Sequence, residues 1–262
     1  PDMADFLTRW IKIGCQRVMN KTECTQIVSA MKSGGYYSNI MGRGPEFNRV
    51  KEFLQLLSGE QKPALPDPLQ NPDYPCFPGL NHQPFRDRRE FPAVAALEDN
   101  FDLIREEALA LNFDNYLKYT GVGRLLKVSL SIISRLIPRV PRINWSLYPF
   151  FYMGVDVESV MGQCPKTAEI IRSLDGSCLE YPWGDAIFSV QHPRSGLPPH
   201  CSVDNFRVRC HLALDIPPDN RIRVAKQTRK WEPGQCLLFE DSYVHEVWNR
   251  SDRPRLVLIT VF

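Results

Sequence analysis

The order of predicted elements along the 262-residue chain indicates an α+β protein in which N-terminal helices buttress a β-sandwich or barrel. Two observations predict this class. Helix-like periodicity dominates the first half of the chain, and short strand-like runs separated by turns fill most of it after residue 143. A chain of this length suits one large domain or two small ones.

Apolar residues that recur at helical spacing mark the predicted helices. Pro45 is compatible with a first helical turn, and Gly59 is a stop signal. We treat residues 1–60 as a helical N-terminal extension packed on the core. A later helix should bury one face formed by Leu97, Phe101, Ile104 and Leu109. The helical segments are 3–20, 22–33, 45–58, 92–112 and 157–173.

Short apolar or alternating runs predict the strands, and the proline-containing stretch 61–92 should wrap the surface of the domain. The strand candidates are 143–153, 185–191, 205–216, 220–225, 235–240, 243–249 and 254–262.

Composition weighs against two classes of partner. The net charge is +2, which gives no reason to expect a nucleic-acid partner. No apolar run is long enough to span a bilayer and no signal peptide is visible, but the chain opens on Pro1, so an upstream anchor could have been lost. Membrane association would come only from residues outside this sequence or from the apolar, basic segment 122–137. The compartment is left open.

One predicted strand carries an unusual polar face. Alternation along residues 205–214 places Arg207, Arg209 and His211 on one side and apolar residues on the other. A plain solvent face would explain one arginine. Two cations and an imidazole in register are more typical of the lining of a polar cavity.

Two further histidines and an arginine complete this pattern. Taken singly, His200 and His245 would each be a hydrogen-bonded core or surface histidine. Imidazole is also a good ligand for iron, and two histidines from separate strands leave coordination positions open. Arg255 follows His245 by ten residues, and from a neighbouring antiparallel strand its guanidinium can hold a carboxylate. The layout suits iron with a dicarboxylate such as 2-oxoglutarate.

Residues 185–262 resemble the catalytic domain of the aspartyl/asparaginyl β-hydroxylase family, and the resemblance extends more loosely back to about Phe77. That resemblance implies a double-stranded β-helix (jelly-roll, cupin-like) core and makes 61–262 the oxygenase domain. The matching motifs are Phe188-Ser-Val-Gln-His-Pro, Pro199-His200, Asn205-Phe-Arg-Val-Arg209-Cys-His211-Leu, Ile216-Pro, Trp231-Glu-Pro-Gly, Leu238-Phe-Glu-Asp-Ser-Tyr-Val-His245-Glu-Val-Trp248 and Arg255-Leu.

The resemblance also implies cofactors and roles. The family uses Fe(II), 2-oxoglutarate and O2 to hydroxylate an unactivated C–H bond. By position, its iron ligands fall on His200 and His245. Its residues for the distal carboxylate of 2-oxoglutarate fall on Arg255 and Ser189. Those for the keto-acid end fall on Arg209 and His211.

The expected substrate is a small molecule or peptide, by family analogy the β-carbon of an aspartyl or asparaginyl unit. Trp145, Tyr148 and Trp248 are candidates to line the substrate side, although buried aromatics are commonly structural. The chain stops at Phe262, where relatives continue, which leaves the substrate open.

Ser202 stands where most 2-oxoglutarate oxygenases carry a carboxylate ligand, and Asp204 is a poorly spaced substitute. This gap keeps a same-fold halogenation or desaturation of a natural product open. A non-catalytic binding module is a second alternative, against which the retained histidines and Arg255 argue. A zinc protein using Cys201 is a third, although that thiol adjoins His200 and should point away.

Overall fold

The computed structural model of the chain describes residues 21–62, 67–72, 74–111, 117–119, 144–152, 154–177, 179 and 184–262. The predicted helix at 3–20 and the amphipathic segment 122–137 lie outside these residues. None of the helices within the described residues has the length and apolar character needed to cross a membrane.

The helices come mainly before the strands, as predicted. Short 3-10 turns occur at Pro45–Phe47 and Arg88–Glu90. Gly59 ends its helix in the left-handed conformation at φ 77°, where its N–H donates to the carbonyl of Leu56. The helices are α1 (Lys21–Ser33), α2 (Tyr36–Met41), α3 (Asn48–Ser58), α4 (Val94–Asp99), α5 (Phe101–Ala110), α6 (Glu158–Met161) and α7 (Pro165–Arg172).

In the described ranges, twelve strands form two antiparallel sheets. The strands are β1 (Phe85–Arg86), β2 (Leu117–Tyr119), β3 (Trp145–Tyr152), β4 (Val155–Asp156), β5 (Asp185–Gln191), β6 (Ser195–His200), β7 (Arg209–Asp215), β8 (Asn220–Val224), β9 (Gln227–Arg229), β10 (Cys236–Phe239), β11 (His245–Asn249) and β12 (Arg255–Val261). The large sheet runs β1-β10-β7-β12-β5-β3-β2, with β4 paired to β3, and the small sheet runs β6-β11-β8-β9.

From β5 onward the chain alternates between the two sheets. Strands β5, β7, β10 and β12 belong to the large sheet, whereas β6, β8, β9 and β11 belong to the small one. This alternation is the topology of a double-stranded β-helix, or jelly roll. The predicted α+β class and core architecture are therefore confirmed.

The large sheet has an apolar layer on each face. On β12, Leu256 and Leu258 pack with the helical layer, which includes Leu97 and Ile104. The alternate residue Val257 packs into the interior of the sandwich. Because side chains alternate along each strand, the same strands serve the helix-covered core and the interior that holds the site.

Among the strands that were not predicted, β6 is the one that contributes to the site. Residues 195–200 form β6, although Pro198 and Pro199 lie within it. The small-sheet order places β6 at an edge, where a missing backbone donor is tolerated. His200 is the last residue of this strand.

The predicted helix 92–112 is interrupted, and one of its face residues was assigned wrongly. Asn100 separates α4 from α5, and its side-chain amide donates to the carbonyl of Ala96 at 2.8 Å. In α5 the buried residues are Ile104 and Ala108, whereas Leu109 is 41% exposed. Five residues separate Leu109 from Ile104, a rotation of roughly 140° around the helix, so the two cannot share a face.

The helix-covered face of the large sheet should dominate stability. Leu258 is fully buried, so Leu258→Ala should lower the free energy of unfolding by about 2–5 kcal/mol through lost burial and a cavity. Leu109→Ala, at an exposed position of the same residue type, should change it by less than about 0.5 kcal/mol. Urea unfolding followed by circular dichroism measures both. Equal losses in the two variants would contradict the assignment of the core.

Candidate active site

Two histidines meet where β11 pairs with β6. In that antiparallel register His245 lies opposite His200, and their ring centroids are 4.1 Å apart. The Nδ1 atom of His200 contacts the carbonyl oxygen of Pro198 at 2.7 Å, and that of His245 contacts the carbonyl oxygen of Tyr243 at 2.9 Å. A carbonyl only accepts, so Nδ1 carries the proton in both rings and both Nε2 atoms keep a lone pair.

This donor set fits a divalent transition metal. Neutral imidazole is the form that binds metal, and burial is the main reason that the pKa of His245 falls to about 4. The carbonyl contacts fix both rings in the orientation and tautomer that a metal ligand needs. Across the ranges that the structure describes, no group of three or more His, Cys, Asp or Glu side chains is placed to hold a metal ion, so the histidines stand as a pair.

Both histidines line a cavity of about 240 Å³ between the two sheets. Predicted site residues from three strands of the large sheet reach the same cavity, because they occupy the interior-facing positions of those strands. These residues are Ser189 on β5, Arg209 and His211 on β7, and Arg255 on β12.

Arg255 is a buried cation for which no described residue supplies a counter-charge. The residue is 3% exposed, and its Nε and Nη1 atoms have no hydrogen-bond partner among the described residues. Its guanidinium lies over the ring of Trp231 at 4.5 Å from the centroid. Burial lowers the pKa of Arg255 to about 9. An anion entering the cavity would relieve this cost.

His211 lies beside this cation on the same aromatic support. Its ring stacks on Trp231, with centroids 6.1 Å apart and planes 7° apart, and meets the edge of Phe239 at 5.0 Å. The Nδ1 atom is buried without a partner among the residues described. Burial, followed by the nearby Arg255 and Arg209 cations, holds the pKa of His211 well below its usual range, so the ring is neutral.

Ser189 is oriented by a tryptophan. The Nε1 atom of Trp145 donates to Ser189 Oγ at 2.6 Å, across the pairing of β3 with β5. With one lone pair occupied, the hydroxyl of this fully buried serine keeps its own proton to donate. Trp145, expected on the substrate side, therefore lines the cavity and also fixes Ser189.

Arg209, unlike Arg255, is already paired. Its Nε donates to Asp241 Oδ2 at 2.7 Å and its Nη1 donates to Asp185 Oδ2 at 3.1 Å. Both carboxylates line the cavity. The two acids raise the pKa of Arg209 further against the opposing effect of burial, so it stays charged. These bonds use two of its three guanidinium nitrogens, and none of the described residues accepts a hydrogen bond from Nη2.

Arg207 does not line the cavity, contrary to the prediction from alternation. Strand β7 begins at Arg209, so the face expected of residue 207 does not extend to it. Arg207 is buried and donates from Nε to both oxygens of Asp204, at 3.1 and 2.8 Å, and from Nη2 to Ser202 Oγ at 3.0 Å. Asp204 is therefore engaged by Arg207, while Ser202 lines the cavity.

Two predicted substrate residues lie elsewhere. Tyr148 belongs to the core under the helices. It lies three positions after Trp145 on β3, so its side chain is on the opposite face of the sheet. Trp248 alternates with the buried Val247 on β11 and turns outward, where the guanidinium of Arg250 lies 5.7 Å from its ring centroid. Neither lines the cavity, and Cys201 of the zinc alternative does not line it either.

A segment upstream of the site, residues 67–72 and 74–86, contacts a loop beside each of the two histidines; we call it the strap. The backbone N–H of Val244 donates to the carbonyl of Leu69 at 2.7 Å, and the N–H of Tyr74 donates to the carbonyl of Val203 at 2.8 Å. The strap therefore fixes the turn before His245 and the loop after His200.

Buried side chains reinforce the strap. Glu240, 2% exposed, accepts from His82 Nδ1 at 2.7 Å, from the backbone N–H of Gln83 at 3.1 Å and from Arg86 Nη1 at 3.1 Å. Asn205 donates from Nδ2 to the other ring nitrogen of His82 at 2.9 Å. This network links the strap to the residue preceding Asp241.

Five residues that shape the site were not predicted as parts of it. Asp185 could have been found from its interior parity with Ser189, four positions later on the same strand. Trp231 and Phe239 belong to motifs quoted above, but nothing in the sequence indicates that their rings pack against the imidazole of His211. Asp241 and Tyr152 also line the cavity, and only the fold brings them there.

Comparison with known proteins agrees with this geometry. Residues 98–262 match the profile of a family described as "Aspartyl/Asparaginyl beta-hydroxylase". A mouse protein named "Aspartyl/asparaginyl beta-hydroxylase" is 32% identical over 187 residues, which is 69% of this chain and 23% of that protein. A mouse "Aspartate beta-hydroxylase domain-containing protein 1" is 38% identical over 224 residues, 80% of this chain and 56% of that protein.

A bacterial relative is named for a different substrate. The "Ornithine lipid ester-linked acyl 2-hydroxylase" of Rhizobium tropici is 30% identical over 186 residues, which is 70% of this chain and 61% of that protein. The chain spans less than two thirds of the length of each of these three relatives. Among solved structures, a cupin-superfamily sugar phosphate isomerase from Silicibacter pomeroyi aligns with a TM-score of 0.31 at 13% identity, over 58% of this chain and 73% of that one. The fold description rests on the strand topology alone.

Loss of Glu240 should lower the free energy of unfolding far more than loss of a surface carboxylate. Glu240→Ala leaves His82, the Gln83 N–H and Arg86 without their acceptor, so the free energy of unfolding should fall by about 3 kcal/mol. Glu232→Ala removes an exposed pair with Lys230 and should cost less than about 0.5 kcal/mol. Urea unfolding of both variants is the measurement, and a loss for Glu240→Ala no larger than that for Glu232→Ala would contradict the network.

The buried neutral His211 should make the metal-free protein acid-sensitive. Because its folded pKa lies below that of the unfolded chain, the unfolded state binds the proton first as pH falls through about 6.5. Stability is therefore complete above that pH and declines below it. His211→Gln should flatten this decline between about pH 7 and about pH 5 in urea unfolding. An identical pH dependence in the two proteins would show that His211 titrates normally.

Proposed function

Because the chain belongs to the aspartyl/asparaginyl β-hydroxylase family, we propose that it is an Fe(II)- and 2-oxoglutarate-dependent dioxygenase that hydroxylates an unactivated C–H bond. One observation carries this proposal. Arg255, which is buried and pairs with no carboxylate among the residues that the structure describes, lines the same cavity as the oriented histidines His200 and His245. A metal-binding pair next to a cation that lacks an anion suits a metal bound together with an anionic co-substrate.

The residues present suit both groups. The Nε2 atoms of His200 and His245 would hold the iron. Arg255 and the hydroxyl of Ser189 would bind the distal carboxylate of 2-oxoglutarate. When bound, the iron together with 2-oxoglutarate and O2 supplies the oxidising power that converts C–H to C–OH, with succinate and CO2 as the other products.

The other end of the co-substrate would meet β7. Arg209 keeps Nη2 for a carboxylate oxygen, and the uncharged His211 lies on the same face two residues later. Because His211 is neutral, it offers a hydrogen bond without adding a second full charge beside Arg255. One end of a dicarboxylate would thus meet Arg255 and Ser189, and the other end would meet Arg209 and the neutral His211.

The protein's main contribution is exclusion of water and fixed orientation. Ser189, His211 and Arg255 are each no more than 6% exposed, which strengthens every charge interaction within the cavity. Phe239 contacts the rings of His211 and His245 at centroid distances of 5.0 and 5.6 Å and separates them by an apolar surface. Such preorganisation suits a reaction that must protect a reactive oxidant.

The named substrates of the relatives indicate a broad substrate class. The mouse relative is named for hydroxylation of aspartyl or asparaginyl units, and the Rhizobium relative is named for hydroxylation of a lipid acyl chain. We therefore propose a small-molecule, peptide or acyl substrate with an unactivated C–H bond. Ser202 leaves an iron position without a protein carboxylate, and a product-mass measurement in chloride separates hydroxylation from halogenation.

The test separates metal binding from co-substrate binding. Anaerobic addition of Fe(II) and then 2-oxoglutarate to the wild-type protein should produce the weak visible charge-transfer band of the iron chelate. Arg255→Ala should weaken 2-oxoglutarate binding by about a hundredfold through loss of a buried charge-assisted pair, with a much smaller effect on iron. His245→Ala should weaken iron binding itself.

Arg253→Ala provides the matched control. Arg253 lies two residues before Arg255, but its side chain is 60% exposed and pairs with Asp215 outside the cavity. This variant should bind both iron and 2-oxoglutarate as the wild type does. Absence of the band in the wild type would sink the dioxygenase assignment, and equal loss of iron and 2-oxoglutarate in Arg255→Ala would contradict the role of that arginine.

A further inference from the structure

Two short segments of the chain connect the proposed iron ligands to a buried group of hydrogen-bonded side chains. The first segment runs from His200 to Asn205, and the second runs from Glu240 to His245. Asn205 and Glu240, at the far ends of these segments, are 3% and 2% exposed. The imidazole of His82, whose side chain is 9% exposed, contacts both of them. We call His82, Asn205 and Glu240 the bridge.

The backbone of Phe77 fixes the direction of the hydrogen bonds in the bridge. Its N–H can only donate, so the atom of Asn205 that it meets at 2.7 Å is the carboxamide oxygen. The other atom is therefore the amide nitrogen, which donates to the carbonyl of Phe77 at 3.2 Å and to Nε2 of His82 at 2.9 Å. Because Nε2 accepts, the proton of the imidazole lies on Nδ1, which donates it to Oε2 of Glu240 at 2.7 Å.

An imidazole suits this position because one rigid ring carries both a donor and an acceptor. Its acceptor contacts the first segment, and its donor contacts the second. The other oxygen of Glu240 accepts from the backbone N–H of Gln83 and from Nη1 of Arg86, both at 3.1 Å, so the strap holds this carboxylate independently of His82. The contribution of His82 is therefore to join the two segments.

The same two segments are connected at two further places. The pairing of β6 with β11 sets His200 opposite His245, and the backbone N–H of Ser202 donates to the carbonyl of Asp241 at 2.7 Å. The bridge adds a third connection at the far ends, and it consists of side chains, so a substitution can remove it without changing the backbone. Connections at both ends of two short segments restrict how they shift against each other, and hence how the two imidazoles are placed.

We propose that His82 is a positioning residue for the iron site, which acts through Asn205 and Glu240 on the segments that carry His200 and His245. This inference rests on the proposed function, because it concerns the two histidines as iron ligands. Loss of a group that orients metal ligands typically lowers metal affinity by about 10- to 100-fold. We expect a loss of about tenfold, at the lower end of that range, because His82 acts through the backbone of the segments and does not touch either ligand ring.

Two substitutions at position 82 separate this role from simple support of the fold. His82→Phe keeps a buried ring and removes both hydrogen bonds. His82→Asn keeps a donor at the position of Nδ1, so Glu240 stays satisfied, but its side chain is too short to reach Asn205. His82→Asn should therefore lose less stability than His82→Phe in urea unfolding. Because both substitutions break the bridge, both should bind Fe(II) about tenfold more weakly than the wild type in anaerobic titration calorimetry.

Leu258→Ala is the control for loss of stability. Leu258 is fully buried in the helix-covered core, so this variant should be destabilised but should bind Fe(II) within about twofold of the wild type wherever it is folded. The visible charge-transfer band of the iron chelate with 2-oxoglutarate is a second readout, because its position depends on how the iron ligands are placed. The band should shift in both His82 variants and keep its wild-type position in Leu258→Ala.

The outcomes separate this inference from the dioxygenase assignment. A wild-type protein that binds no Fe(II) contradicts the assignment before position 82 is tested. If the wild type binds Fe(II) and folded His82→Asn binds it equally well, the positioning role is overturned. A loss of Fe(II) affinity in Leu258→Ala as large as that in the His82 variants would also reject it, because any destabilisation would then have the same effect. His82→Asn decides the question if His82→Phe does not fold.

Discussion

The antiparallel pairing of β11 with β6 is the constraint on which the site depends. It sets His245 opposite His200, and the register shifts by one position directly afterwards, between His245 and Val247. Because side chains alternate along a strand, a slip of one residue would turn one imidazole away from the cavity. The two carbonyl contacts to Nδ1 then convert a pair of neighbouring rings into a pair of oriented donors.

The large sheet places two arginines in the cavity, and the partners of these arginines differ. Within the described part of the chain, Arg209 pairs with two carboxylates, whereas Arg255 pairs with none and lies over the face of Trp231. Burying a guanidinium without a counter-charge lowers the stability of the folded state. A protein retains such a group where a bound anion offsets that cost. The contrast indicates that only the Arg255 end is built to take up a complete negative charge from a ligand. Arg209 acts instead through the one nitrogen that its carboxylates leave.

Much of this arrangement could be predicted because strand periodicity depends on local sequence. The strand at 185–191 and the interior parity of Arg209 and His211 follow from alternation alone. The predictions that were wrong required information on where an element begins or which layer covers it. Arg207 precedes its strand by two residues, and β3 is buried on both faces, so alternation could not say that Tyr148 faces the helices.

Contacts between distant parts of the chain lie beyond such reasoning. Residues 67–86 precede the family match at 98–262, and their irregular sequence predicted only a surface wrap. Yet Glu240 joins His82 and Arg86 to the turn that leads to His245, and Asn205 joins them to the loop that follows His200. A buried carboxylate with three donors is rigid, and it adjoins Asp241, whose side chain anchors Arg209. The strap thus contacts the loops beside both histidines and the residue next to Asp241, so the structural support of the cavity begins upstream of the segment that matches the family.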